Sequence, residues 1–172
     1  AMDDALRVSE APVIFSHSSC RALCDVPRNV PDAVLAELPK NGGVIMITFV
    51  SGFLSQEFAD ANRRAKAALA PLTAGVSDAS ERERISREYF RQNPLPKVPL
   101  SLAADHVEHA RKVAGVDHIG LGGDFDGNDD WPVGLEDVAA YPRLFAELVR
   151  RGWTDADLEK LSVSADKVTK RG

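Results

Sequence analysis

Three side chains combine a reactive type with a telling position: His17 in VIFSHSS (13–19), Arg28 in CDVPRN (24–29) and Asp124 in HIGLGGDFDG (118–127). An imidazole can offer a neutral nitrogen to a metal ion or a proton. A carboxylate held beside it can manage protons during hydrolysis. A guanidinium in a loop is suited to gripping a carboxylate through two parallel hydrogen bonds. His17, Asp124 and Asp126 each follow an apolar run that reads as a strand, and in α/β proteins ligands gather at the carboxyl ends of strands. Plainer roles stand beside these. The histidine could fill space, the aspartates could form a turn after Gly-Gly, and the arginine could cap the next helix.

Other groupings carry less. His17, Cys20 and Cys24 form H-x2-C-x3-C, but structural zinc normally takes a fourth ligand and tighter cysteine pairs. Two cysteines are too few for a disulfide framework, and their spacing would place them on one helical face as reduced thiols. DFDGNDDWPVGLE puts Asp124, Asp126 and Asn128 at alternate places, as a calcium loop does. The sixth place is Asp129 instead of glycine and Glu136 falls thirteenth, so the EF-hand pattern fails. His106 and His109, with Asp105 and Glu108 beside them, miss the H-E-x-x-H spacing and read as a solvated helix face. His118 reads as structural.

The elements that must position these residues follow from periodicity. MDDALRVSE predicts a helix ending before Pro12, and Val13–Ser16 a strand. A helix is expected from Asp32 to Leu38, closed by Pro39 and the Asn-Gly-Gly turn at 41–43. VIMITF (44–49) is apolar at nearly every position, as a parallel strand covered on both faces would be. Residues 55–70 predict a helix. The next one starts at Ser80, where Glu83 completes a capping-box pattern. Pro94, Pro96 and Pro99 make a stiff connector. Helix returns at 101–114, then a strand at 118–123, then helices over 136–150 and 154–162, the last with Thr154 as N-cap. The order implies right-handed βαβ units. Only three strands are visible, whereas a (β/α)8 barrel takes roughly 250 residues. The three-stranded sheet is therefore either open or part of a barrel, and its edges call for a covering partner.

The bulk numbers fit a single domain over residues 1–172. Of these residues, 44% are apolar and 27% charged, with a net charge of -5. The acidic balance removes the electrostatic reason to expect nucleic acid or an anionic membrane as a partner. No run approaches the roughly 20 apolar residues of a membrane span, and AMDDALRVSE lacks the basic start and apolar core of a secretory signal. A cytoplasmic setting is expected.

Taken together, APVIFSHSS, PRNVPD, VAGVDHIGLGGDFDG and LEDVAAYPRLFAELVRRGW resemble the membrane (renal) dipeptidase family of zinc-dependent dipeptidases, from about residue 2 to about 160. The resemblance implies a partial (β/α)8, TIM-type barrel with about three parallel strands and flanking helices. It implies two zinc ions at the strand ends and hydrolysis of the amide bond of dipeptides. It makes His17 a zinc ligand, Arg28 the residue that holds the substrate's terminal carboxylate, and Asp124 the catalytic acid/base. Asp126 matches the motif without a role carried over. The family's His-x-Asp segment, bridging glutamate and first late zinc histidine have no counterpart here, and LSVSADKVTKRG replaces the usual apolar helical ending. Association with a second copy, or with the missing part of the barrel, is therefore expected, and a non-catalytic barrel fragment is the alternative to an active dipeptidase.

Overall fold

Three parallel strands, β1 (Ile14–Ser18), β2 (Val44–Ile47) and β3 (Ile119–Leu121), lie side by side in that order. The computed structural model describes residues 2–169, and side chains as far as residue 163. Strand β2 is central and has Val44, Ile45 and Ile47 fully buried. That is why it reads as an unbroken apolar run. Helices α1 (Met2–Val8), α2 (Asp32–Leu35), α3 (Leu38–Asn41), α4 (Ser51–Leu54), α5 (Gln56–Thr73), α6 (Ala79–Gln92), α7 (Leu100–Ala114), α8 (Tyr141–Arg150) and α9 (Asp155–Thr169) fill the connections. Helix α7 packs on β2 and β3 through a face of Ala103, Ala104, Val107, Ala110 and Ala114, whose small side chains let it approach closely. Leu144 and Leu148 of α8 and Leu161 of α9 complete that side of the core. No helix among the described residues is long and apolar enough to cross a membrane.

The expected alternation of strands and helices is present, with local departures. The helix expected from Asp32 to Leu38 is two short helices, α2 and α3. Pro39 lies in the first turn of α3, where its missing N–H costs nothing, and Gly42 at φ 75° ends that helix instead. Helix α4 is an addition, a single turn directly after β2. Helix α6 is capped by Asp78, whose carboxylate accepts the N–H groups of Ser80 and Glu81, so the cap lies two residues before the expected Ser80. Helix α5 runs past Pro71 to Thr73. The segment expected to be helical from 136 is first a 3-10 turn, Val138–Ala140, and α8 starts at Tyr141 with Pro142 in its first turn. Thr154 caps α9 as expected: its hydroxyl accepts the Asp157 N–H at 3.2 Å, and Asp157 in return accepts the Thr154 N–H at 3.4 Å. The terminal residues 170–172, part of the stretch in which the sequence departs from the usual family ending, lie outside the described residues.

Charge stitches the outer helices together. Arg151, just after α8, reaches Asp105 and Glu108 of α7 at 2.6 Å each and Glu147 of α8 at 2.7 Å. Burial disfavours its cation, but these three carboxylates outweigh that and push its pKa upward.

Candidate functional site

Strand β1 does not keep step with β2. Ile14 and Phe15 pair with Val44 and Ile45, yet Ser18 pairs with Ile47, so one extra residue is taken up at Ser16–His17. Such a bulge bends a strand and re-aims the side chains it carries. The strand therefore runs two residues further than expected, and His17 stands inside its bulged end instead of beyond it. Its Nδ1 lies 3.0 Å from Ser16 Oγ, and its Nε2 lies 3.9 Å from Asp124 Oδ1.

Asp124 reaches that position through an unusual backbone. Its φ of 60° makes it the one non-glycine residue with positive φ among those described. Aspartate tolerates this conformation better than most residues. The glycines around it are steric requirements. A Cβ on Gly122 would come within 2.3 Å of the Ser16 carbonyl in the bulge, and one on Gly127 within 2.4 Å of Asp124 Oδ1. Phe125 anchors the turn from below by packing edge-on against Phe49 (centroids 5.9 Å apart) and Tyr141 (5.8 Å). Asp126 is exposed at the tip. The strand-to-turn geometry thus brings His17 and Asp124 together, and both keep access to solvent, with side chains 44% and 27% exposed.

Arg28 is held by a loop fixed from inside. Asn29 is fully buried. Its Oδ1 accepts the Ser19 N–H at 2.9 Å, and its Nδ2 donates to the Cys24 and Phe53 carbonyls at 2.9 and 2.8 Å. The Ser18 hydroxyl donates to the Arg28 carbonyl at 3.0 Å, and Arg21 donates to the Pro27 carbonyl at 2.7 Å. The Arg28 guanidinium carbon lies 5.8 Å from the centre of the Phe53 ring. That ring belongs to α4, so the arginine bridges the loops that follow β1 and β2. An open cavity of about 490 Å³ lies beside the Phe53 ring, and neither Arg28 nor Asp124 lines it. It is lined by Val26 and Phe53 on one side and by Gly127 and Asn128 of the Asp124 turn on the other.

The remaining candidates resolve otherwise. Cys20 and Cys24 lie in the turns after β1, not on a helix. Their thiols donate to the His106 carbonyl at 3.3 Å and the Gly52 carbonyl at 3.6 Å, so they belong to the interior and not to a His-Cys-Cys site. Burial pushes them up to about 12 and about 11, which keeps them as thiols. His106 is only 1% exposed, so the expected solvated face is wrong for it. Its helix turns that side toward the loop after β1 and toward α4, and burial pulls the imidazole down to about 4. His109 meets Asp32 Oδ1 at 2.8 Å, and His118 donates to the Gly43 carbonyl at 2.8 Å, a structural role. Sequence reasoning missed Asn29, Phe125 and His106, whose importance lies in contacts across 24 to 86 residues.

By type, His17 Nε2 is a metal donor, and a carboxylate such as Asp124 can either share a metal ion with it or handle a proton beside it. Two donors on one tetrahedral ion with bonds of about 2.0–2.2 Å stand roughly 3.3–3.6 Å apart. The observed 3.9 Å is within a small side-chain adjustment of that. Among the described residues no group of three histidine, cysteine, aspartate or glutamate side chains converges.

Comparison with known proteins points in one direction. Residues 1–165 match the membrane dipeptidase family, peptidase family M19. Dipeptidase 3 of Rattus norvegicus and of Homo sapiens are each 39% identical over 154 residues, covering 90% of this chain and 24% of the relative. The chain thus spans about a quarter of the length of these curated relatives. The crystal structure of the probable dipeptidase PvdM from Pseudomonas aeruginosa superposes with a TM-score of 0.76 at 25% identity, covering all of this chain and 48% of that one. A second solved structure, a dipeptidase described as a metallo peptidase of family M19, gives a TM-score of 0.66 at 26% identity, covering 93% of this chain and 37% of that one. These relatives are TIM-type barrels, and the three parallel strands with their helices form part of one.

Proposed function

Because the chain belongs to the membrane dipeptidase family, peptidase family M19, we propose that it carries the carboxyl-terminal part of a metal-dependent dipeptidase site. In this reading His17 is a metal ligand, Asp124 the acid/base and Arg28 the clamp for the terminal carboxylate of a dipeptide. The observation that carries it is the 3.9 Å approach of His17 Nε2 to Asp124 Oδ1 at the strand ends. A bound zinc ion would supply Lewis acidity and a water acidic enough to attack at neutral pH. Asp124 then takes a proton from the nucleophile and returns it to the leaving amine. The Phe53 ring beneath Arg28 limits the directions its guanidinium can take. Fixing the substrate's carboxylate in this way orients the amide bond before reaction.

Two observations favour a second reading, a non-catalytic partial barrel that associates with another chain. Among the described residues no three metal-binding side chains converge as a catalytic shell needs, and β1 leaves Ile14 43% exposed on an edge strand. In either case association, with a second copy or with the rest of a barrel, covers that edge.

Hydrolysis of L-Ala-L-Ala by the purified chain with added zinc separates the readings, run beside a chelator control and His17→Ala. Activity that disappears in both controls supports the dipeptidase. Activity indifferent to both contradicts the assigned site, and no activity at any chain concentration leaves the fragment reading.

A further inference from the structure

The structure assigns His106 a positioning role: one imidazole ties together the two loops that hold Arg28, and so sets the affinity for a dipeptide's carboxylate. The inference rests on Arg28 being the carboxylate clamp.

His106 lies on α7 among Ala103, Ala104, Val107 and Ala110, an apolar surrounding in which an unpaired imidazole would be costly. Both of its nitrogens are used. Nδ1 accepts the Cys20 N–H at 2.9 Å, and Nε2–H donates to the Leu54 carbonyl at 3.1 Å. Because a backbone N–H can only donate and a carbonyl can only accept, these partners fix the neutral Nε2–H tautomer. The Cys20 thiol closes the contact by donating to the His106 carbonyl at 3.3 Å.

The two partners are not arbitrary stretches of backbone. Cys20 opens the loop that carries Arg28, and it pairs with Val30 where that loop closes. Arg21 N–H donates to the Val30 carbonyl at 2.9 Å and Val30 N–H to the Ser19 carbonyl at 2.8 Å. Leu54 is the last residue of α4 and follows Phe53, the ring beneath the Arg28 guanidinium. His106 therefore holds the root of the arginine's loop and the root of its aromatic support at a fixed spacing. Asn29 makes the matching tie nearer the tip, through the Cys24 and Phe53 carbonyls. With Nδ1 removed, the Cys20 N–H would be left buried without an acceptor, and the loop would open to find water.

The test compares His106→Leu, which removes both bonds, with His106→Asn, whose side-chain oxygen can still accept the Cys20 N–H. Binding of L-Ala-L-Ala is followed by NMR at the Arg28 side-chain N–H, and amide hydrogen exchange is read in the same samples. His106→Leu is expected to weaken dipeptide binding at least tenfold and to speed exchange at Cys20, Asn29 and Val30 by a similar factor. Exchange at Ile45 and Ile47 should hardly change, and His106→Asn should recover most of the binding. In zinc-loaded, active protein the loss should appear in KM, with kcat within about twofold. Unchanged binding or unchanged loop exchange in His106→Leu overturns the role. So does uniform loss of protection across the strands with no recovery in His106→Asn, which would mean a residue of the core alone. If the wild-type chain shows no hydrolysis, the dipeptidase reading fails while exchange and binding still judge His106. If the wild type binds no dipeptide at Arg28, the clamp itself is wrong.

Discussion

Gly122→Ala tests whether the Gly-Gly before Asp124 is a steric necessity of the site. An added Cβ would lie 2.3 Å from the Ser16 carbonyl oxygen and 2.9 Å from Met46 Cβ, both inside the 3.0 Å that Cβ atoms essentially never breach. The closer neighbour is backbone in the bulge that aims His17, so a rotamer change cannot relieve the overlap. Overpacking of this kind costs about 3 kcal/mol, at the upper end of the usual range. Alanine restricts the unfolded chain and offsets about 0.5–1 kcal/mol of that. A net loss of about 2 kcal/mol follows, or a fall in Tm of roughly 4–8 °C for a chain of this length. Gly75→Ala is the control. Gly75 has φ 78° and no atom within 4 Å of an added Cβ, so only strain of about 1–2 kcal/mol is incurred, with the same offset. Urea unfolding followed by circular dichroism measures both. Gly122→Ala within about 0.5 kcal/mol of wild type would refute the steric reasoning.

Asn29→Ala should destabilise by about 3 kcal/mol in the same assay, because the Ser19 N–H and the Cys24 and Phe53 carbonyls lose their buried partner. Both thiols should resist Ellman's reagent at pH 8 in the folded chain and react fully in urea, since burial pushes them to about 12 and about 11. Rapid native labelling of either would contradict this. Stability should also fall on acidification. Burial lowers the His106 pKa from 6.5 to about 4, partly against the pull of nearby Asp105, so the unfolded chain binds the extra proton first. His106's contribution is complete above about pH 6.5 and shrinks as pH falls toward 4. The change is about 3 kcal/mol, read as the difference between the urea titrations of wild type and His106→Leu over that window.

What the sequence made legible followed local rules. The apolar run of β2, the turn at Asn41–Gly43 and the Thr154 cap all declare themselves within a few residues. His17 and Asp124 could be placed on one face because both follow strand-like runs, and the structure puts them 3.9 Å apart. The bulge at Ser16–His17 was hidden, since its cause is the fit of β1 against β2 and against Gly122 across the sheet. His106 was misread for a related reason. A histidine between Asp105 and Val107 looks like a helix boundary between polar and apolar faces, and only its bonds to Cys20 and Leu54 show which face it joins. Pro39 illustrates a rule applied one position too strictly: the proline that was expected to stop a helix starts one.

The most direct test of the strand-end site is Asp124→Asn, assayed for dipeptide hydrolysis in zinc-loaded protein. Asparagine keeps the shape and tolerates the φ of 60° that this position requires, so folding should be retained while the proton-handling carboxylate is lost. The expected result is a fall in kcat of about 10²–10⁴ with unfolding free energy little changed. Hydrolysis within a few-fold of wild type, from a variant of equal stability, would show that Asp124 does not manage the proton and that the site assigned here is not where the chemistry occurs.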